Sequence, residues 1–416
     1  MLSSSRLIAL PSLCLLLVAP ACSDDASGDS AGSTDGSSGG GATDGASGEG
    51  SSGGAQSTGD APTTSDGSSG GGSTGGEPSP WDGEPLPDAP PGQWQWVGFP
   101  DAHCRDGSET GIGVRRGTGD GLVIYFQGGG ACFNGLTCGL NPASFGEGAF
   151  NGVSGGLNSG VFDPDAAKNP IGDWSYIYIG YCTGDVHAGD RDDQMVPDVA
   201  QPQQFVGYRN VAAFLERIVP TFSGVSHVLV TGESAGGFGA AFNYDRIADA
   251  FPGKKVTLLD DSGPPLGFSV APLCLQQQWS DLWGFDSTIP AACEGCFPSQ
   301  GGGIINIGKF IAEKHKDQHL ALVSATHDST IRYFFGFGAD DCTAIFPNTP
   351  ADAFEAALLD ARENYFNAPG VWGSFFINSD QHTWIGGSYY TAEVGGTRLV
   401  DWVSALIDGN PSHVGP

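Results

Sequence analysis

The sequence predicts an α/β fold in which a mostly parallel central sheet is flanked by helices. Six short apolar runs end at turn residues, and helix-compatible segments lie between them. The runs are nearly continuous, which is typical of strands buried on both faces. Strands that alternate with helices favour a parallel sheet with crossover helices. The six runs are residues 122–126, 176–179, 228–230, 256–259, 320–323 and 375–377.

Helices are expected in three of the intervening segments. Residues 205–219 place apolar side chains at helical spacing, and residues 239–251 form a helix-compatible run after the third strand. Asn348 and Thr349 precede Pro350, a pattern that predicts a cap followed by proline in the first turn of a helix reaching Tyr365.

Residues 1–22 are typical of an export signal. Arg6 precedes an apolar core from Leu7 to Val18, which is too short for a membrane-spanning helix. Cys22 follows small residues and resembles the lipid-attachment cysteine of bacterial lipoproteins, although Ala19 stands where Leu is usual. Plain cleavage of the signal is the alternative. In both cases the chain is expected outside the cytoplasm, either anchored to a membrane through lipid alone or secreted.

Residues 23–80 are dominated by Gly, Ser, Thr, Asp and Ala, without aromatic or basic residues. Such a segment cannot bury enough apolar surface to offset the entropy lost on folding, so we expect a disordered linker. A flexible coil of roughly 57 residues spans on the order of 40 Å, enough to hold a domain away from a membrane surface. Residues 81–416 hold all nine Trp residues and are expected to form one large domain.

The charge of this domain argues against nucleic-acid partners. Nine of the 47 acidic residues and one of the 17 basic residues precede residue 81, so the remainder carries a net charge of −22. A field of this sign repels nucleic acids and other polyanions. The oligomeric state does not follow from the sequence.

The cysteine count favours disulfides. Apart from Cys14 in the signal and Cys22, eight cysteines remain, and an even number in an exported chain predicts four bridges of unknown pairing. Cys293 and Cys296 have the spacing of a zinc knuckle, but no second pair completes four ligands. We therefore expect a disulfide role for them, and no metal.

The candidate nucleophile is Ser234. The pattern G-x-S-x-G occurs at six other places in this chain, so the pattern alone carries little weight. Only Gly232-Glu233-Ser234-Ala235-Gly236 directly follows a predicted buried strand and directly precedes a predicted helix. That setting is the one in which an α/β hydrolase exposes its nucleophile.

A serine hydroxyl needs a base, and the chain order Ser, Asp, His predicts where to look for it. His382 lies five residues beyond the last predicted strand, and Asp328 follows the strand before it. His187 and His327 are the rival histidines. The rival acids are Asp260, Asp261, Asp340 and Asp341.

The reaction also needs donors for the developing oxyanion. Gln127-Gly128-Gly129-Gly130 follows an early strand and offers backbone amides without side chains in the way. We expect Gly129 and Gly130, together with the amide of Ala235, to form the oxyanion hole. A simple tight turn is the alternative interpretation of the glycines.

Five blocks, in order and spacing, resemble the pectin acetylesterase and Notum carboxylesterase family, including its bacterial members. The resemblance spans about residues 95–405. The blocks are GGGACFNGLTC (128–138), NP with DW and IGYCTGD (169–185), TGESAGG (231–237), the strand and acid around Asp328, and DQHTW (380–384).

The resemblance implies an α/β-hydrolase-like fold and hydrolysis of carboxylic esters. It places Ser234, Asp328 and His382 at the family's triad positions. It also places Gly129, Gly130 and Ala235 at the oxyanion-hole positions. Plant members of the family have Trp where this chain has Ala131, which implies a more open pocket here and leaves the substrate unassigned.

The expected function is that of an exported serine carboxylesterase without metal or organic cofactor. The family's usual substrate is an acetylated polysaccharide, and the negative domain favours neutral or methyl-masked glycans over bare polygalacturonate. Esterases acting on lipids or polyesters, and a serine peptidase, stay open. A surface glycan-binding protein with a vestigial site is the rival from another class, with Trp279, Trp283, Trp372 and Trp384 as stacking candidates.

Overall fold

Thirteen strands are present in the computed structural model, which describes residues 81–344 and 347–416. In chain order they are β1 (Trp94–His103), β2 (Glu109–Arg115), β3 (Gly121–Phe126), β4 (Ser175–Ile179), β5 (Arg191–Gln194), β6 (Gln203–Phe205), β7 (His227–Glu233), β8 (Lys255–Asp261), β9 (His319–Ala325), β10 (Trp372–Ile377), β11 (Glu393–Val394), β12 (Thr397–Arg398) and β13 (His413–Val414).

Eleven helical segments connect the strands within the same residues. They are α1 (Gly135–Leu140), α2 (Glu147–Ser154), α3 (Gly207–Thr221), α4 (Ala235–Ala250), α5 (Leu273–Trp283), α6 (Phe285–Thr288), α7 (Asn306–Lys314), α8 (Ser329–Gly336), α9 (Ala339–Cys342), α10 (Ala351–Asn364) and α11 (Leu399–Ile407). The segment α9 is a single turn with positive φ at Asp340 and Asp341.

Nine strands form the central sheet in the order β1-β2-β4-β3-β7-β8-β9-β10-β13. Only the pairings of β1 with β2 and of β2 with β4 are antiparallel. The chain runs from β3 to β4 on one side and later returns to β7 on the other side of β3. In open α/β sheets, ligands bind at the carboxyl ends of strands where the winding direction changes. The ends of β3 and β7 are that place here.

Each central strand buries both faces, which explains the continuous apolar runs. Leu122 and Ile124 of β3 join the larger core cluster, which includes side chains of α3, α4, α5, α7, α8 and α10. Val123 and Tyr125 of the same strand join a second cluster that includes side chains of α2 and α11. The predicted α/β-hydrolase-like class is therefore confirmed, with a mostly parallel sheet between two helical layers.

All six predicted strands are present, whereas β1, β2 and β13 were not predicted. One predicted cap is displaced by a residue. Pro350 itself is the N-cap of α10, with extended ψ of 142° and no side-chain cap, and the helix begins at Ala351. The restriction that proline places on its own φ fits either position, so the sequence did not distinguish them.

The eight cysteines of the domain form four disulfides, as the even count predicted. The pairs are Cys104–Cys182, Cys132–Cys138, Cys274–Cys342 and Cys293–Cys296. These bridges fit an exported protein.

The signal at 1–22, its Cys22 and the linker at 23–80 lie outside the described residues. Within residues 81–344 and 347–416, none of the helices has the length and apolar composition needed to cross a bilayer.

Candidate active site

Ser234 stands between the last residue of β7 and the first residue of α4. Its φ is 59°, a value that costs a non-glycine residue about 1–3 kcal/mol unless its surroundings impose it. The surroundings do so here, because the Ser234 N–H donates to the Asp261 carbonyl at 2.8 Å and the Ser234 carbonyl accepts from the N–H of Gly237 at 2.9 Å. The sharp turn lifts the hydroxyl away from the sheet.

The glycines around Ser234 are required by close backbone contacts. A Cβ on Gly236 would lie 2.0 Å from the carbonyl oxygen of Phe126, and one on Gly232 would lie 2.3 Å from that of Gly236. A Cβ on Gly128 would lie 3.0 Å from the Cβ of Ser234. The elbow and the loop after β3 therefore touch, and side chains on these glycines would separate them.

Asp328 and His382 are brought together. Asp328 lies three residues beyond β9 and His382 five residues beyond β10, at neighbouring strand ends. Nδ1 of His382 is 2.8 Å from Oδ2 of Asp328. The other carboxylate oxygen of Asp328 accepts the N–H groups of Thr330 and Ile331 at 2.9 Å, so the acid also caps α8. Because Asp328 is fully buried, its orientation is fixed.

The second ring nitrogen of His382 is unoccupied. Nε2 is shielded from solvent and has no hydrogen-bond partner within the described residues, so the Ser234 hydroxyl is not bonded to it. Burial lowers the pKa of His382, but the hydrogen bond and charge of Asp328, with the charges of Asp261 and Glu233, raise it above its usual value overall. An imidazole held at Nδ1 by a carboxylate can accept a proton at Nε2.

The rival residues have other partners. Nε2 of His187 lies 2.8 Å from the Gln127 carbonyl, and burial lowers the pKa of His187 to about 4. Nε2 of His327 lies 3.2 Å from Glu355 Oε2. Of the rival acids, Asp260 accepts the N–H of Gly263 at 2.8 Å.

The glycine loop after β3 is fixed by hydrogen bonds to its carbonyl groups. Asn141 Nδ2 donates to the Gly129 carbonyl at 2.7 Å, and the Tyr181 hydroxyl donates to the Gly130 carbonyl at 2.9 Å. Carbonyls held in this way leave the amides of the loop as available donors. Gly129 and Gly130 have φ of 159° and 82°, of which the second favours glycine.

Gly130, Ser234 and Ala235 line one pocket. Its empty volume, including the part open to solvent, is about 500 Å³. No side chain caps the first turn of α4, which starts at Ala235, so the Ala235 N–H is left to bind an anion. Asp340 and Asp341, the remaining rival acids, are not among the lining residues.

The rest of the pocket wall is almost entirely apolar. Ala131 lies on the wall, while α5 supplies Trp279 and Trp283. Their rings are stacked with centroids 5.8 Å apart. The Trp283 N–H donates to the Cys132 carbonyl, whereas the buried Trp279 N–H has no partner among the described residues. The other lining side chains are Phe133, Val186, Phe238, Phe242, Phe285, Ile304, Ile331, Phe334 and Phe335.

Sequence reasoning missed the residues that support the site. Tyr181, Asn141 and His187 hold the glycine loop, and Asp261 and Glu233 accept hydrogen bonds from the residues after His382. Their partners lie 12 to 153 residues away in the chain. Of these, only His187 and Asp261 were indicated by the sequence, as rivals for other roles.

The chain is similar to known proteins over part of its length. Residues 98–278 match the family described as pectinacetylesterase. Palmitoleoyl-protein carboxylesterase NOTUM of Drosophila melanogaster is 24% identical over 217 residues, which are 47% of this chain and 32% of the relative. The human protein of that name is 26% identical over 172 residues, which are 38% of this chain and 34% of the relative. The chain thus spans about a third of the length of the curated relatives it matches.

A solved structure has a fold similar to that of this chain. The structure of the Wnt deacylase Notum from Drosophila superimposes with a TM-score of 0.53 at 18% sequence identity, covering 75% of this chain and 92% of that chain. A second crystal form gives a TM-score of 0.52. In sequence over residues 98–278, and in fold, the chain is similar to the pectin acetylesterase and Notum carboxylesterase family.

Proposed function

We propose that this chain is an exported serine carboxylesterase in which Ser234, His382 and Asp328 form the catalytic triad. The observation that carries the proposal is the 2.8 Å contact between Nδ1 of His382 and Oδ2 of Asp328. Asp328 follows β9, which lies two strands from β7 in the central sheet, and the strained Ser234 follows β7. An unoccupied Nε2 on a carboxylate-held imidazole is the chemical requirement for a general base.

In this mechanism Nε2 of His382 takes the hydroxyl proton of Ser234 as the oxygen attacks the ester carbonyl. Asp328 fixes the ring tautomer through Nδ1 and stabilises the imidazolium. The imidazolium then protonates the departing alcohol, which leaves an acyl group on Ser234. Water, deprotonated by the same imidazole, releases the acid and restores the enzyme.

The oxyanion formed in both steps would be bound by the amides of Gly129, Gly130 and Ala235. Support for this part comes from the fixed carbonyls of the glycine loop and the uncapped start of α4. Preorganised donors of this kind are worth about 10²- to 10³-fold in rate each. No step requires a metal or an organic cofactor.

The proposed substrate is an acylated glycan, as the pectinacetylesterase match suggests. The glycan is the alcohol part of such an ester, and because it is polar we expect it to lie outside the pocket, whose wall around Ser234 is apolar. The acyl group is therefore the part that enters the pocket, and the sugar stays at its mouth.

An ester of a longer apolar acid is the second candidate, favoured by the composition of the pocket wall. Eight aromatic rings line the pocket, and an acetyl group would leave most of this apolar surface uncovered. The related proteins named palmitoleoyl-protein carboxylesterase act, by their name, on a long acyl chain. Burying each additional CH₂ group contributes about 0.8 kcal/mol, so chain length is a sensitive measure of the pocket.

Hydrolysis of p-nitrophenyl acetate, butyrate and octanoate by the purified domain tests both candidates. Ser234→Ala is expected to abolish all three activities while the circular dichroism spectrum stays unchanged. Ser223→Ala, at an exposed serine after α3, is the matched control and is expected to keep full activity. Turnover retained in Ser234→Ala would refute the proposed nucleophile. The acyl length with the highest kcat/KM decides between the candidates.

A further inference from the structure

Two acids lie side by side at the strand ends next to the nucleophile. Glu233 is the last residue of β7 and Asp261 the last residue of β8, and they are paired in the register of these parallel strands. Asp261 is completely buried. Within the described residues, neither carboxylate forms an ion pair with Lys or Arg, so another interaction has to compensate for their desolvation.

The Asp261 carboxylate accepts three hydrogen bonds. Its Oδ2 accepts the N–H groups of Trp384 at 2.7 Å and Ile385 at 2.8 Å, and its Oδ1 accepts the Ser262 hydroxyl at 2.9 Å. Its main-chain carbonyl accepts the N–H of Ser234. Asp261 thus binds the turn at Ser234 through its backbone carbonyl, and it binds residues 384 and 385 through its carboxylate.

Glu233 binds the next residue of the same segment. Its Oε1 accepts the N–H of Gly386 at 3.0 Å, and its Oε2 accepts the Tyr125 hydroxyl at 2.7 Å. The N–H groups of residues 384, 385 and 386 therefore all point at two carboxylates beside the Ser234 elbow. A Cβ on Gly386 would lie 3.0 Å from Glu233 Oε1, so glycine permits this approach.

We propose that Asp261 and Glu233 are positioning residues of the esterase: they hold the loop 382–386 against the nucleophile elbow and stabilise the imidazolium of His382 with their charge. The proposal rests on the function proposed above. Its basis is that five donors converge on two adjacent acids, the buried Asp261 and the half-buried Glu233, where β7 meets the loop 382–386.

A purely structural clamp would not need negative charge. Neutral side chains can accept backbone N–H groups at a lower desolvation cost than two neighbouring carboxylates. A charge is useful where a positive group forms transiently, as His382 does when it takes the Ser234 proton. The charges of Asp261 and Glu233 both raise the pKa of His382, after burial and Asp328.

The ionisable groups around this cluster are few within the described residues. Burial and then the charge of Glu233 raise the pKa of Asp261 to about 7, against hydrogen bonds that lower it. The Asp261 carboxylate is therefore about half ionised at pH 7 and carries its full charge at higher pH. The groups that face the cluster are Asp328 beside His382, Asp260 beside Asp261, and Tyr125 and Tyr178 beside Glu233.

The direction of the pH effect follows from these contacts. His382 acts as a base only when it is neutral, so kcat/KM falls on the acid side as the ring becomes protonated. Neutralising Glu233 removes a charge that favours the protonated ring, and hence lowers the pKa of His382. The acid limb of the pH profile then moves to lower pH.

Glu233→Gln separates charge from contact, because the amide oxygen still accepts the Gly386 N–H. It is expected to shift the acid limb of kcat/KM down by roughly 0.5–1 pH unit with less than a tenfold loss of kcat near pH 8. Glu233→Ala and Asp261→Ala remove acceptors from the loop and are expected to lower kcat by about 10²-fold, because the ring is no longer held in place. KM is expected to change little in all three.

The measurement is kcat and KM for p-nitrophenyl acetate from pH 5 to 9, with melting curves for every variant. An acid limb of Glu233→Gln that coincides with that of the wild type would overturn the proposal, even if the Ala variants are unstable. So would alanine variants that keep wild-type kcat. Ser234→Ala is measured in parallel, since activity that survives there refutes the triad itself rather than the positioning role.

Discussion

Ser234 and His187 show how single residues keep unusual conformations in this site. Both have positive φ, at 59° and 58°. Ser234 is held by its hydrogen bond to Asp261, and His187 by a bond from its N–H to Asp185 Oδ1 at 3.1 Å and one from its ring to the Gln127 carbonyl. Ser234 lies close to Gly128, and the His187 ring contacts the Gln127 carbonyl, so both residues touch the loop that joins β3 to α1.

The pKa of His187 predicts a specific loss of stability in acid. Burial lowers it from 6.5 to about 4, so between these pH values the unfolded chain binds a proton that the folded chain does not. The stability that depends on a neutral His187 is fully present above pH 6.5 and is lost as the pH falls towards 4. Between pH 7.5 and pH 5 the free energy of unfolding falls by about 2 kcal/mol from this cause.

Urea unfolding of the wild type and His187→Gln at pH 7.5 and pH 5 tests this term. Glutamine retains an N–H donor for the Gln127 carbonyl but does not titrate. The free energy of unfolding of the variant is expected to fall about 2 kcal/mol less than that of the wild type over this range. Equal losses in the two proteins would contradict the assignment.

Elements with a strong local pattern could be predicted, and elements defined by distant partners could not. The buried strands β3, β4, β7, β8, β9 and β10 are continuous apolar runs, so the sequence predicts them. β1 alternates between exposed and buried residues, and β13 has only two residues, so neither forms such a run. The positions of Asp328 and His382 after β9 and β10 follow from strand order alone.

The support of the site needed the fold. The contacts of Asp261 with Trp384 and Ile385 join residues 123 and 124 positions apart. No local pattern encodes such a pairing. The sequence instead raised Asp261 as a rival for the acid position, whereas the role that we propose for it is to hold the loop 382–386.

The loop after β3 controls the size of the pocket through Ala131. Its methyl group lies on the pocket wall. Ala131→Trp is expected to fill the space and to lower kcat/KM for p-nitrophenyl octanoate at least about tenfold relative to the acetate. The kcat/KM values for p-nitrophenyl octanoate and p-nitrophenyl acetate give this ratio directly.

Leu136→Trp is the control for this substitution. Leu136 is 56% exposed on α1, so the same side chain placed there adds bulk outside the pocket. Its octanoate-to-acetate ratio is expected to equal that of the wild type. An Ala131→Trp protein with an unchanged ratio would show that acyl chains do not enter past residue 131.

At the scale of the whole molecule, net charge acts on the approach of substrates. Residues 81–416 carry a net charge of −22. A charge of this size acts on polymers before they reach the pocket, within the Debye length. It affects association and not the chemical step.

Salt is therefore expected to change activity on a charged glycan but not on a neutral one. Raising the ionic strength from about 10 mM to about 150 mM shortens the Debye length from about 30 Å to about 8 Å. Acetyl release from pectin, a polyanion, is expected to rise over this range, whereas release from acetylated xylan stays constant. Pectin preferred at low salt would contradict this reading of the charge.

The central claim is that Ser234 is made nucleophilic by His382. The most direct measurement is the rate and site of labelling by a fluorophosphonate, read by mass spectrometry of the digested protein. The account predicts one adduct, on the peptide that contains Ser234, and a labelling rate at least about 10³-fold lower in His382→Ala. An adduct elsewhere, none at all, or a rate that does not depend on His382 would contradict it.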